Sequence, residues 1–240
     1  MRSSLSFGLL LALAPACAAP QEEARPALHP LPEGWLDVEP LAFERLLEEE
    51  LAPDDPLLWN PAALEELAAA LERQDQGSVR AALLLSRSRH ESAARTILAR
   101  LEERIVGPER QSDAGDVVAA AALARILEPG MFPRRIDALA YGRRAHPDLE
   151  VRVECACTAL ALGSDASIPF LLQVLRIDTW AGEHDERDFE SSPNTAWARG
   201  RAAEALSLRA GIPVAYRTDA SIADRERETD RLERILLGGL

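Results

Sequence analysis

No lysine occurs among the 240 residues: all 27 basic side chains are arginine, a bias we attribute to genomic base composition rather than to mechanism. Aromatic residues make up only 5% of a chain that is 47% apolar, so alanine and leucine must carry the core. Long alternations of Val, Ile or Thr are missing, which removes support for β-strands. Catalytic signatures are missing too. There is no Gly-x-Ser-x-Gly, no His-Glu-x-x-His and no phosphate-cradling glycine loop. Cysteines number three. Cys155 and Cys157 stand two residues apart, on different sides of a helix, and cannot bridge each other. Two thiols without further ligands make no metal site. They read as small buried apolar side chains.

What is there favours helix, because Ala, Leu, Glu and Arg lose little rotamer freedom in that conformation. The net charge of −13 is unevenly spread. Residues 19–76 hold 15 acids and 3 Arg, whereas residues 77–240 hold 25 acids and 23 Arg. Six of those 25 acids fall within residues 178–190 beside a single Arg, so the remaining body has a slight basic excess of 22 against 19. An acidic chain lacks the footprint that phosphate contacts need, which argues against nucleic acid as a partner. The acidic flanks keep an Ala/Leu-rich body soluble.

Residues 1–18 combine Arg2, an apolar stretch from Leu5 to Ala14, and small residues: the pattern of a signal peptide. The stretch is too short, and too soon broken by Pro15, to span a bilayer. Two processing routes stay open. Ala16-Cys17-Ala18 is similar to an ordinary signal-peptidase site. Leu13-Ala14-Pro15-Ala16-Cys17 resembles a bacterial lipobox, which implies a lipid on Cys17, although Ala14 stands where that pattern has Leu. Either route implies export, to the periplasm or to a lipid anchor on the cell envelope.

Residues 19–58 form an acidic, Pro-rich arm with a short helix near 41–51, and Trp35 and Leu36 are expected to dock on the body. Residues 59–240 form the body. Asn60-Pro61 is an N-cap followed by Pro at the first helical position. Leu64, Leu67, Ala68 and Leu71 follow at helical spacing, with an end expected near Gln76-Gly77. From there a two-helix unit recurs. Its anchors are Val79, Val117, Val151 and roughly Trp197. A longer last step comes from an insertion at 177–194. Periods of this size signal stacked helix pairs, none of which buries its apolar face alone.

The clearest unit runs from Asp148 through Val151-Arg152 and Ala159-Leu160 to Gly163, then Ala166, Pro169 and Leu171. It resembles a bacterial HEAT repeat, and looser copies extend the resemblance over residues 60–212. The resemblance implies an all-α fold: an α-solenoid of about four HEAT-like helix pairs plus N-terminal helices. It assigns structural roles to Asp148, Val151, Arg152, Gly163 and Pro169. Asp148 and Arg152 are expected to make ladder-like hydrogen bonds between neighbouring repeats. Gly163 suits a helix end that needs positive φ.

Three features invite chemistry. Some HEAT-type hydroxylases bind di-iron through several His-Glu dyads, but His90-Glu91 stands alone here and cannot supply a ligand set, so no metal or other cofactor is expected. The insertion offers Trp180 and Phe189, which could anchor a partner or pin the loop to the body. Its acids lack the spacing of a calcium loop. In HEAT stacks the second helix of each pair lines the concave surface, where Arg95, Arg100, Arg134, Arg135, Arg143, Arg144 and Arg176 suit the carboxylates of an acidic partner segment or ordinary solvation. The expectation is an exported, non-enzymatic scaffold or adaptor that binds a protein, with no catalytic residues. Its alternatives are a lyase-like enzyme or enzyme accessory, and a structural subunit of an envelope assembly.

Overall fold

Prolines and short polar caps set most helix starts. The structure, a computed structural model of the chain, describes residues 27–51, 57–73, 75–88, 90–104, 114–177 and 188–238. Its helices are α1 (Pro40–Arg45), α2 (Pro61–Leu71), α3 (Gln76–Leu85), α4 (Glu91–Arg104), α5 (Ala114–Ile126), α6 (Pro133–Tyr141), α7 (Leu149–Ala161), α8 (Ile168–Leu175), α9 (Asp188–Ala210) and α10 (Ile222–Leu237). A π-helical turn, Leu46–Glu50, prolongs α1, and a 3₁₀ turn, Asp165–Ser167, leads into α8. Asn60 caps α2 by accepting from Ala63 N at 2.7 Å, and Pro61 follows it. Asp148 caps α7 by accepting from Glu150 N at 2.7 Å. Ser221 caps α10 by accepting from Asp224 N. Each such cap satisfies a backbone donor that the helix itself leaves unpaired.

The fold is mostly helical. Helices α3, α5, α7 and α9 lie side by side in chain order. A second row packs on them: α2 against α3, α4 against α5, α6 against α7, and α8 against α9. Within that row α2 meets α4, α4 meets α6, and α8 meets α10. The core between the rows is Leu and Ala, as composition requires: Leu84, Leu98, Leu101, Leu123, Leu139 and Leu171 are fully buried among Ala81, Ala94, Ala120 and Ala156. Val151 has no exposed surface, and neither does Cys155.

One arginine position repeats along the first row and ties it to what precedes each unit. Arg80 of α3 donates to the carbonyls of Trp35, Leu36 and Val38, and stacks over Phe43 with 5.0 Å to the ring centroid. Arg152 of α7 donates to Ala140 O at 2.9 Å and stacks over Phe170. Arg199 of α9 donates to Ile177 O at 3.0 Å. In α5 the position is Val118, and a different pair fills the role: Arg100 of α4, itself buried, meets buried Asp116 at 3.5 Å and also Glu72 of the turn after α2. Arg152 thus reaches back to the helix before its own, while the carboxylate of Asp148 caps its own helix.

The N-terminal arm docks as expected, but partly as a strand. Leu28 and His29 (β1) pair in parallel with Leu58 and Trp59 (β2), a short ladder that the sequence gave no reason to expect. Trp35 is buried and its indole N–H donates to Glu66 at 2.7 Å. The helix from Asn60 stops at Leu71 rather than near Gln76, because Asp75 starts the next one by accepting from Gly77 N at 2.7 Å while pairing with Arg73. The insertion is shorter than expected: helical backbone begins at Asp188, so 188–194 belong to α9. The fourth anchor shifts by one residue, from Trp197, which is 37% exposed, to fully buried Ala198. Residues 1–26, with the signal sequence and Cys17, and residues 178–187, with Trp180, lie outside the described residues.

Gly163 adopts φ +92°. Ser164 N donates to Ala159 O and Gly163 N to Leu160 O, the reciprocal closure of a Schellman turn. Gly211, at φ +67°, ends α9 in the same way, with Ile212 N to Ser207 O and Gly211 N to Leu208 O. Helices α7 and α9 therefore share a stop as well as an inward-turned arginine.

Candidate functional site: a groove across the first helix row

The outer face of the first row carries a groove of about 880 Å³. Leu83 and Ser86 of α3 line one end. Val118, Ala121, Ala122, Ala124 and Arg125 of α5 continue it, then Glu154, Cys157, Thr158, Leu160 and Ala161 of α7. Arg201, Glu204, Ala205, Leu208 and Arg209 of α9 close the far end. The groove exists because α5 is built largely from alanine. Its Ala119 and Ala120 face the core, whereas Val118 and Ala121 are only half-buried and face the groove. Small side chains leave a trench where larger ones would have filled the outer face. Leu208 stands on the rim 82% exposed, a large apolar side chain facing water.

Most polar groups in the groove are committed. Glu154, buried, accepts from Arg201 Nε at 2.7 Å and Nη2 at 3.2 Å across the α7–α9 seam. Arg201 also pairs with Glu204 at 2.9 Å. The Glu154 hydrogen bonds hold the Arg201 guanidinium above its ordinary value, against the opposing effect of burial. Arg209 pairs with Asp165 at 2.7 Å, and that contact holds the Asp165 carboxyl below the usual range. Burial, chiefly, pushes the Cys157 thiol up to about 12, so it stays protonated at neutral pH. Burial raises Cys155 as well. Neither is a nucleophile in this state.

Two groups are uncommitted. Thr158 is 1% exposed, lines the groove, and its hydroxyl has no hydrogen-bond partner. Arg125 is exposed, and Arg87, half-buried just past the end of α3, lies close enough to be felt electrostatically. Burial first, and then the like charge of Arg125, lowers Arg87 below the ordinary arginine value, with Glu48 opposing. No described residue forms an ion pair with either arginine.

The arginines selected on the second row do not line this groove. Arg95 pairs with Glu91 at 2.7 Å and stacks over Phe132. Arg135 makes a two-point bond to Glu102, at 2.7 and 2.8 Å, and also lies over the Phe132 ring. Arg100 is buried, and Arg176 reaches Asp230 and Glu233 of α10. Arg134, Arg143 and Arg144 are exposed at α6 and the turn behind it. Phe189 falls in the first turn of α9. Pro169 sits in the first turn of α8 and is exposed. Among the described residues no cluster of His, Cys, Asp or Glu could hold a metal ion, and no helix is long and apolar enough to cross a membrane. His90 caps locally, its ring nitrogen 2.8 Å from Ser92 Oγ.

Sequence reasoning missed Arg125, Thr158 and Leu208. The available signal was an Ala-rich helix with apolar residues left over for its outer face, together with Leu208 beside Arg209 on a helix whose buried side was already supplied by Ala202, Ala203 and Leu206. The chain matches no protein-family model, no curated protein and no solved structure.

Proposed function

We propose that the chain is an exported HEAT-type α-solenoid that works as a non-enzymatic scaffold, holding a partner protein along the outer face of its first helix row. The groove carries this reading: it is open, largely apolar, spans four successive helices of the first row, and contains an orphaned hydroxyl and the exposed Arg125, which has no ion-pair partner among the described residues. Two helix rows in register and an arginine that recurs at positions 80, 152 and 199 support the repeat assignment. The reactive groups an enzyme would need are not assembled in the groove. Its thiol is held protonated and its one buried carboxylate is locked to Arg201. The apolar N-terminal stretch ending at Cys17 supports export, with a lipid on Cys17 as one route.

Position-specific photo-crosslinking in cells tests the binding face. A photoreactive residue at 208 should trap a discrete adduct, whereas one at 134 or 143 on the second row should not. Adducts from 134 and 143 and none from 208 would transfer the binding role to the second row. Mass measurement of the mature N-terminus separates a lipidated Cys17 from ordinary cleavage.

A further inference from the structure

The shape and charge of the groove narrow its occupant, on the reading that it is the binding face. Adjacent packed helices stand roughly 9 Å apart, so three spacings from α3 to α9 make a trench about 27 Å long. A volume of 880 Å³ spread along that length gives a cross-section of about 33 Å². A helix with side chains is 10–12 Å across, about 90 Å² in section, and would stand mostly outside the trench. An extended chain rises about 3.3 Å per residue, so roughly eight residues match the length. Small ligands bury most of their surface in closed pockets. A rim residue as open as Leu208 instead marks a trench that a longer chain can enter and leave at both ends.

The ends differ in charge. At the α9 end the cations are matched: Arg201 by Glu154 and Glu204, Arg209 by Asp165. At the α3–α5 end Arg125 is exposed and lines the groove without an ion-pair partner among the described residues, and the fractional charge of the α5 C-terminus offsets only part of its charge. Midway, the buried hydroxyl of Thr158 has no partner, and a passing backbone carbonyl or N–H is a natural one.

We propose that the groove seats an extended segment of about eight residues from a partner protein, its apolar side chains over Ala121, Ala122 and Ala161, its backbone bonded to Thr158, and an acidic side chain or terminal carboxylate at the Arg125 end. Direction of the chain in the groove is thereby set by charge, and affinity by apolar contact with the alanine floor and Leu208.

A phage-displayed random 12-residue library panned against the full chain supplies the probe, and the dominant peptide is then synthesised and titrated by fluorescence anisotropy. The expected peptide carries apolar residues ending in Asp or Glu at one end. Leu208→Arg and Arg125→Glu, both at exposed positions and so without threat to folding, should each weaken it at least tenfold. Arg125→Glu should also flatten its salt dependence, and Arg217→Glu, on the distant loop before α10, should change nothing. Peptides with apolar residues at i, i+4 that become helical on binding overturn the extended assignment. Peptides sensitive to Leu208→Arg but lacking acids and indifferent to Arg125→Glu overturn the charge assignment while leaving the groove as the binding face. Peptides indifferent to both variants overturn the inference, and crosslinking from position 208 then judges the groove by itself.

Discussion

Replacing Arg201 by Ala removes the guanidinium from a seam in which Glu154 has only 6% of its side chain exposed. Two hydrogen bonds are lost, at 2.7 and 3.2 Å, and a carboxylate is left on the inner wall of the groove with its countercharge gone. Breaking a buried pair from one side costs about 3–5 kcal/mol, most of it the penalty of the stranded charge. Arg201 is itself 35% exposed, so water enters once the side chain is cut back, and the expected cost falls to about 2–3 kcal/mol. For a chain of this size that corresponds to a fall in Tm of roughly 4–12 °C. Urea unfolding followed by circular dichroism at 222 nm reads it. The decisive comparison is Arg201→Ala/Glu154→Leu, which removes both charges and keeps the volume near Glu154. That variant should recover at least half of the loss, because an apolar pair in such a seam is close to neutral. A loss under about 1 kcal/mol for the single variant, or a double variant as unstable as the sum of the two singles, would refute a stranded-charge origin.

Val151→Asp should cost about 3 kcal/mol or more, since its side chain has no exposed surface and the new charge would be buried; an unchanged Tm would contradict the burial. Arg80→Ala frees the carbonyls of Trp35, Leu36 and Val38, so limited proteolysis should cut within 27–38 several-fold faster, and an unaltered cleavage rate would detach Arg80 from that role. Both Cys155 and Cys157 have folded pKa values above their unfolded ones, so the stability they lend is complete below about pH 8.5 and is lost as pH rises towards the folded values. In a Cys17→Ser background, native protein at pH 8 should react with dithionitrobenzoate far more slowly than unfolded protein, and melting measured from pH 8 to 11 should fall. Rapid titration of two thiols in the native state would overturn both expectations.

The fold was legible where local chemistry decides it. Asn60-Pro61, Asp148 and Gly163 act through their immediate neighbours, and each does in the structure what its residue type demands. The end of α2 was misread because Asp75 and Leu71 compete for the same stretch, and the winner depends on the Arg73–Asp75 contact rather than on periodicity. The β1–β2 pairing joins residues 30 positions apart in a two-residue ladder, too short to leave an alternation. The candidate groove was invisible for a related reason. An alanine in a helix reads the same whether it faces a core or an empty trench, and only the arrangement of neighbouring helices separates Ala120 from Ala121.

The arginines show why the candidate binding face lies on the first row and not on the second. A sequence reader sees seven arginines on second helices and infers a cationic surface. In the structure Arg100 is bound to Glu72 and Asp116, Arg135 to Glu102, Arg176 to α10, and Arg95 to Glu91, so four of the seven are matched within or between helices of the second row. Matched charges of this kind fix the spacing and register of neighbouring helices but offer little field to a partner. The first row does the reverse. Its recurring arginines at 80, 152 and 199 turn inward to backbone carbonyls, which leaves the outward face largely to alanine, and Arg125 stands exposed in the groove without an ion-pair partner among the described residues. Charge that ties helices to one another and charge left exposed over the groove are thus separated by row.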